Sequence, residues 1–471
     1  MKLSNYLGDK PFWKVTASLA LPIALQNVLT GSFHLVDTMM VSRLGDISLS
    51  AVGMAGQWGW FINLLGFGLS SGMSVFVSQY WGVRDLKGIR RVFGIALLSC
   101  LLLSGLFMGV ALLAPEFVLR MFNQDPNVVA TGCRYLTVAA WSYPAVVLTL
   151  VMSTLLRNTE RVGLPLAVSA VTTVANAAVN YVLIFGKLGF PELGVVGAAV
   201  GTCVSSWLGP ILLLAFSAAQ KNMLLGPVKE LVSFTWKQVR EFYRRALPVV
   251  FNEGMWAMGT LVLNMIYSNL GYEYYAGMTL FKTVSELAFS FYAGLGNACV
   301  IMVGKSIGQG KIRRGVEDSV RFTVLLPIAG LIIGSLLILF RHPLLAIFAA
   351  GDTLSQTTLN TALSVLMFCS LEVIFRNISY VQVVGVFRSG GDTVMAMICD
   401  LGSLWLVSIP AAFLAANVFH APFLVVVIAA YLGEDIPKAI LCLTHFKTKK
   451  WLKPVTAEGK AGLEAYKNAE C

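Results

Sequence analysis

The chain has 471 residues, 57% of them hydrophobic and only 13% charged, with a mean hydropathy of +0.74. Soluble proteins carry about 25% charged residues, so the deficit excludes a soluble enzyme, a disordered chain and a nucleic-acid binder. At about 20 apolar residues per crossing, twelve crossings take rather more than half the length, and the net charge of +11 belongs first to a membrane face.

Lys2, Lys10 and Lys14 precede an apolar run too long for a signal-peptide core, so that run reads as a retained first span. Apolar runs of spanning length start near residues 15, 49, 92, 131, 163, 193, 246, 275, 320, 357, 393 and 421. Short polar breaks such as SRLGD, RDLKGIRR, NQDPN, RNTER, GYEYY and RSGGD separate them. They predict an all-α integral membrane protein with about 12 transmembrane helices. With the N-terminus inside, 26 of the 35 Lys and Arg residues fall in inside segments, Arg388 among them, and 5 fall outside. Lys282, Arg321, Arg376 and Lys438 lie within or at the edge of spans. That contrast predicts cytoplasmic N- and C-termini; a bacterial-type inner membrane is the expected location. The eight cysteines show no paired spacing and read as small buried hydrophobes.

The chain repeats itself. Ala20-Leu21-Pro22 recurs as Ala246-Leu247-Pro248, a shift of 226 residues that also carries Val77 onto Val303 and Gly82 onto Gly308. Two duplicated six-helix bundles around a central cavity follow: residues 1–220, then a cytoplasmic connector at 221–243, then 244–446. Residues 447–471 form a cytoplasmic tail, expected to lack structure from Val455 onward. Duplicated bundles around a cavity are a usual build for a secondary transporter, which says nothing of cargo.

Within spans each charge needs a reason, because insertion costs on the order of 3 kcal/mol. Asp37 lies in GSFHLVDTMMV, with His34 three residues earlier on the same face. The carboxylate can take up a proton or bind a cation, or sit hydrated near the outer end. Glu253 follows Asn252 just beyond Pro248, where a proline opens a kink. Lys282 and Glu286, and Glu372 and Arg376, stand four apart and can neutralise each other. Asp400 has no charged neighbour at helical spacing. Asn176 and Asn180 share one face and can coordinate an ion or bond across helices. Gly68-x-x-x-Gly72 and Gly197-x-x-x-Gly201 read as close-packing contacts. Trp58, Trp60 and Phe61 can stack on a planar cation or serve packing. No ATP-binding loop or catalytic constellation stands out, so no cofactor is expected and an ion gradient is the natural energy source.

Taken together, ALPIALQNVLTGSFHLVDTMMVSRLG, the Val77–Gly82 and Val303–Gly308 motifs, NAAVNYVLIFG, GVVGAAVGT, SELAF and GVFRSGGDT resemble the MATE (multidrug and toxic compound extrusion) family, NorM-like branch, over about residues 12–445. The resemblance implies export of small organic, often cationic, compounds across the lipid bilayer in exchange for H+ or Na+. It assigns cation or proton coupling to Asp37, Asn176, Asn180, Thr202 and Glu253, with a Na+ site near Asp37, Asn176 and Asn180. His34, Gln57, Glu286, Asn377 and Asp400 are the candidates for the substrate cavity. Asn180 and Asn377 stand where some relatives carry acids, which moves the expected coupling group toward Asp37. A monomer is expected, with no nucleic-acid partner. The alternatives are a lipid-linked oligosaccharide flippase, which calls for a basic cavity where these intramembrane charges lean acidic, and an integral membrane transferase.

Overall fold

The computed structural model describes residues 8–122, 124–220, 222–224, 226–344 and 355–470. Helices dominate, and no strand occurs among the described residues. The long helices are α1 (Lys10–Ser42), α2 (Asp46–Gly82), α3 (Leu86–Leu113), α4 (Pro126–Asn158), α5 (Gly163–Ile184), α6 (Val195–Ala219), α7 (Trp236–Asn269), α8 (Tyr272–Gly308), α9 (Ile312–Leu339), α10 (Gln356–Gly390) and α11 (Thr393–Val418). Each of these eleven is long and apolar enough to cross a membrane. A twelfth, α12 (Phe423–Lys447), has the length but carries Glu434, Asp435 and Lys438 within little more than one turn. Most helices begin a few residues before the apolar run that predicts them, because polar first turns belong to the helix. Asp85, for example, caps α3 by accepting from the Gly88 amide at 2.9 Å.

Large apolar side chains stand at the surface, among them Leu102 (75% exposed), Val174 (70%) and Leu406 (78%), while Gln79, Asn180 and Ser389 are fully buried. Outward apolar and inward polar side chains are what a hydrocarbon solvent selects.

The chain packs as two compact units. One comprises residues 25–77 and 85–250, the other residues 1–24, 78–84 and 251–471. This division departs from the bundles expected at 1–220 and 244–446: α1 and α7 each change unit, two residues beyond Pro22 and Pro248 respectively. The expected connector at 221–243 is also shorter than its sequence suggests. Residues from Trp236 onward already belong to α7, because Phe242 is buried against Phe76 (6.1 Å between ring centres) and the Tyr243 and Ser99 hydroxyls hydrogen-bond at 2.7 Å.

Within the first unit both small-residue motifs are close contacts, as expected. A Cβ on Gly68 would stand 2.8 Å from the Val250 Cα, and one on Gly197 would stand 2.6 Å from the Leu183 carbonyl oxygen. In the second unit the repeated glycines serve one reciprocal contact. A side chain on Gly82 would run into the Lys305 carbonyl, and one on Gly308 into the Gln79 carbonyl. Gln79 then donates to the Ser389 carbonyl at 2.8 Å and accepts from the Val455 amide at 2.7 Å.

That last bond corrects the expectation of an unstructured tail. Trp451 is fully buried and stacks on Phe446, Thr456 donates to the Gly308 carbonyl at 2.7 Å, and Ala457–Glu470 forms a helix, α13. Its polar composition hid the anchor, which is made by the Val455 amide, the Thr456 hydroxyl and one tryptophan. Cys471 lies outside the described residues.

Candidate functional site

Each unit holds a polar centre of its own. In the first unit the Asn180 amide donates to Asp37 Oδ1 at 2.6 Å and to Asn176 Oδ1 at 3.2 Å. Asn176 donates onward to Ser205 Oγ at 3.2 Å, and Ser205 donates to the Gly201 carbonyl at 2.8 Å. The i, i+4 spacing on α5 makes this chain possible, and α6 provides its floor: a Cβ on Gly201 would overlap Asn180 Oδ1. That oxygen is buried with no hydrogen-bond partner. Thr202 returns its own hydroxyl to the Ala198 carbonyl at 3.0 Å and interacts with the buried Tyr135, which lies within electrostatic reach of Asp37. Among the described residues no cationic side chain pairs with Asp37. The structure joins Asp37, Asn180 and Asn176 directly and reaches the Thr202 side chain by way of Tyr135; Tyr135 and Ser205 were not singled out in the sequence because they carry no charge to draw attention.

The centre of the second unit is built from ion pairs. Arg388 donates to Glu253 Oε1 at 2.8 Å. Lys438 reaches Asp400 Oδ1 and Glu434 Oε1, both at 2.8 Å, and the Asn252 amide donates to Asp400 Oδ2 at 2.8 Å. Arg376 lies 3.6 Å from both Glu372 and Asp435 and sits over the Tyr431 ring at 4.7 Å. Five acids thus face three bases.

Several expectations change here. Arg388, assigned to an inside loop, is buried: α10 continues through wide π-type turns at Val381–Phe387, which bring it to Glu253. Asp400 has no charged neighbour on its own helix, yet α12 and α7 supply two donors. The Glu372–Arg376 pair forms as read. Lys282 instead donates to Asn264 and makes no ion pair with Glu286 within 4 Å. Asn377, a cavity candidate, is buried and donates to the Leu326 carbonyl at 3.1 Å, a helix-packing bond to α9. Gln57 and Glu286 are exposed. The His34 side chain lies outside the described residues. Trp58 serves packing, donating to the Phe107 carbonyl at 3.1 Å. Lys438, Glu434 and Asp435 were not singled out as site residues, although three charges inside one apolar run signal a paired cluster.

Comparison with known proteins adds the family. The MatE family profile matches residues 22–182 and 248–414, two segments whose starts lie 226 residues apart, the same shift that the internal repeat gives. The chain is 27% identical over 455 residues to the probable multidrug resistance protein NorM of Thermotoga maritima, covering 93% of each chain. It is 25% identical over 415 residues to the probable multidrug resistance protein YoeA of Bacillus subtilis, covering 86% of this chain and 87% of that one. Among solved structures, a mutant of the Vibrio cholerae MATE transporter VcmN shares the fold, with a TM-score of 0.83 at 15% identity, covering 94% of this chain and 98% of that one. A chain matched twice by one profile, built of membrane-length helices around buried polar centres, belongs to the MatE family and is a NorM-like, multi-pass multidrug efflux transporter, a secondary transporter and not an enzyme.

Proposed function

We propose that this transporter exports small organic cations in exchange for H+ or Na+, by alternating access of two lobes, and that Asp37 with Asn176, Asn180 and Thr202 is its coupling group. One observation carries the reading. Among the described residues Asp37 is held by an amide alone, beside an unpartnered buried oxygen on the same amide, whereas Glu253, Glu372 and Asp400 are each bound to an Arg or Lys. A carboxylate without a basic partner gains the most from an incoming cation. Turning the Asn180 amide over would present its oxygen to the same point, as a second ligand for Na+ or as acceptor for a protonated Asp37. Cargo is released because the cation and the cargo favour different lobe arrangements, and coupling comes only from that difference. The protein works as a monomer in the inner membrane, with both termini cytoplasmic.

The test is efflux of a fluorescent organic cation from proteoliposomes under an imposed pH gradient, then under an imposed Na+ gradient. Wild type should respond to one gradient and Asp37→Asn to neither, with its fold intact. Unchanged transport in Asp37→Asn would refute the assignment. No transport by folded wild type under either gradient would favour a flippase.

A further inference from the structure

At one end of the second unit a cavity of about 650 Å3 opens between the start of α11, the end of α12 and the tail helix α13. Four lysines line it: Lys449, Lys450, Lys453 and Lys467. Asp392 is the one carboxylate among its lining residues, and it is already engaged by Lys453 Nζ at 2.8 Å and His445 Nε2 at 3.0 Å. Lys449 sits over the Tyr466 ring at 5.0 Å, while Lys450 and Lys467 are exposed and pair with no carboxylate among the described residues. The lining therefore carries more positive charge than its one carboxylate offsets. Leu463, Tyr466 and Lys467 stand at i, i+3 and i+4, so a single face of α13 makes one wall.

The cavity also has an apolar side. Val394 (44% exposed) and Ile398 (51%) line it from α11 and stand one turn apart, pointing the way down a membrane-crossing helix. The lysines at 449, 450 and 453 stand just past the C-terminal end of α12, beside the N-terminal end of the membrane-length helix α11, and the ends of spanning helices are where headgroups are met. A free anion would satisfy the lysines and leave the apolar strip unused. A ligand that satisfies both is anionic at one end and hydrocarbon at the other.

We infer that this cavity seats the headgroup of an anionic phospholipid from the surrounding bilayer, with an acyl chain along Val394 and Ile398, and that the bound lipid holds α13 in place. The lysines supply the attraction that basic clusters at membrane faces exert on acidic lipids. Because α13 forms a wall of the seat, lipid and tail helix stabilise each other's placement, and this coupling is reciprocal.

The full chain, purified in neutral detergent, is given phosphatidylglycerol, phosphatidylcholine or inorganic phosphate. Retained lipid is counted by native mass spectrometry, and protection of residues 457–470 is followed by hydrogen exchange. Phosphatidylglycerol should be retained at least fivefold over phosphatidylcholine and should slow exchange in α13. The K450E/K467E variant, altered only at exposed side chains, should lose at least fivefold in retention and show no slowing. Equal retention of the two lipids, slowing by phosphate alone, or undiminished retention in the variant would each overturn the inference.

Discussion

Lys438→Met tests the ion-pair centre most sharply. Lys438 is 7% exposed and contacts Asp400 and Glu434 at 2.8 Å, with Asp435 at 4.0 Å. At an effective dielectric constant near 20, each 2.8 Å contact carries about 6 kcal/mol of Coulomb attraction, most of it offset by the desolvation of the charges. The net value of the group is therefore modest, but removing one member is not. Methionine fills the space while leaving three carboxylates without their shared cation, and breaking a buried pair costs about 3–5 kcal/mol. Reversible unfolding in mixed micelles, followed by circular dichroism, should show that loss. The double variant D400N/K438M should recover part of it, because an amide in place of the Asp400 carboxylate would keep the Asn252 bond and carry no charge. The coupling between the two sites should then reach at least about 1.5 kcal/mol. A Lys438→Met variant within about 1 kcal/mol of wild type, or a double variant equal to the sum of the singles, would refute the charge argument.

Three further outcomes follow from packing and hydrogen bonding. Gly308→Ala should destabilise by at least about 1–3 kcal/mol, because its Cβ meets the Gln79 backbone and only a helix shift makes room. Gly109→Ala, with nothing within 4 Å, should stay within about 0.5 kcal/mol of wild type in the same unfolding assay. Gln79→Leu orphans the Ser389 carbonyl and the Val455 amide together, at a cost on the order of 3 kcal/mol. Limited proteolysis should then cut the tail after Trp451 at least tenfold faster, and unchanged cleavage would show that the tail is held elsewhere.

The helix count, the all-α membrane class and the duplication were legible in the sequence because all three rest on one-dimensional patterns: apolar run length, loop charge and a constant shift between motifs. The Asp37–Asn180 group came from the family resemblance: the residues themselves showed an acid in one apolar run and two amides on one face of another, and left the contact between them open. Pairings between helices were not legible. Asp400 looked isolated because its partners, Lys438 and Asn252, come from other helices, 38 and 148 residues away, and Arg388 looked like a loop residue until π-type turns carried the helix to it. Asn377 looked like a site residue by register, but its amide went to a backbone carbonyl. Local sequence sets which residues are costly to bury. Only tertiary packing decides which helix brings the group that offsets the cost, because hydrogen bonds and charge pairs act over about 3 Å whatever the separation along the chain.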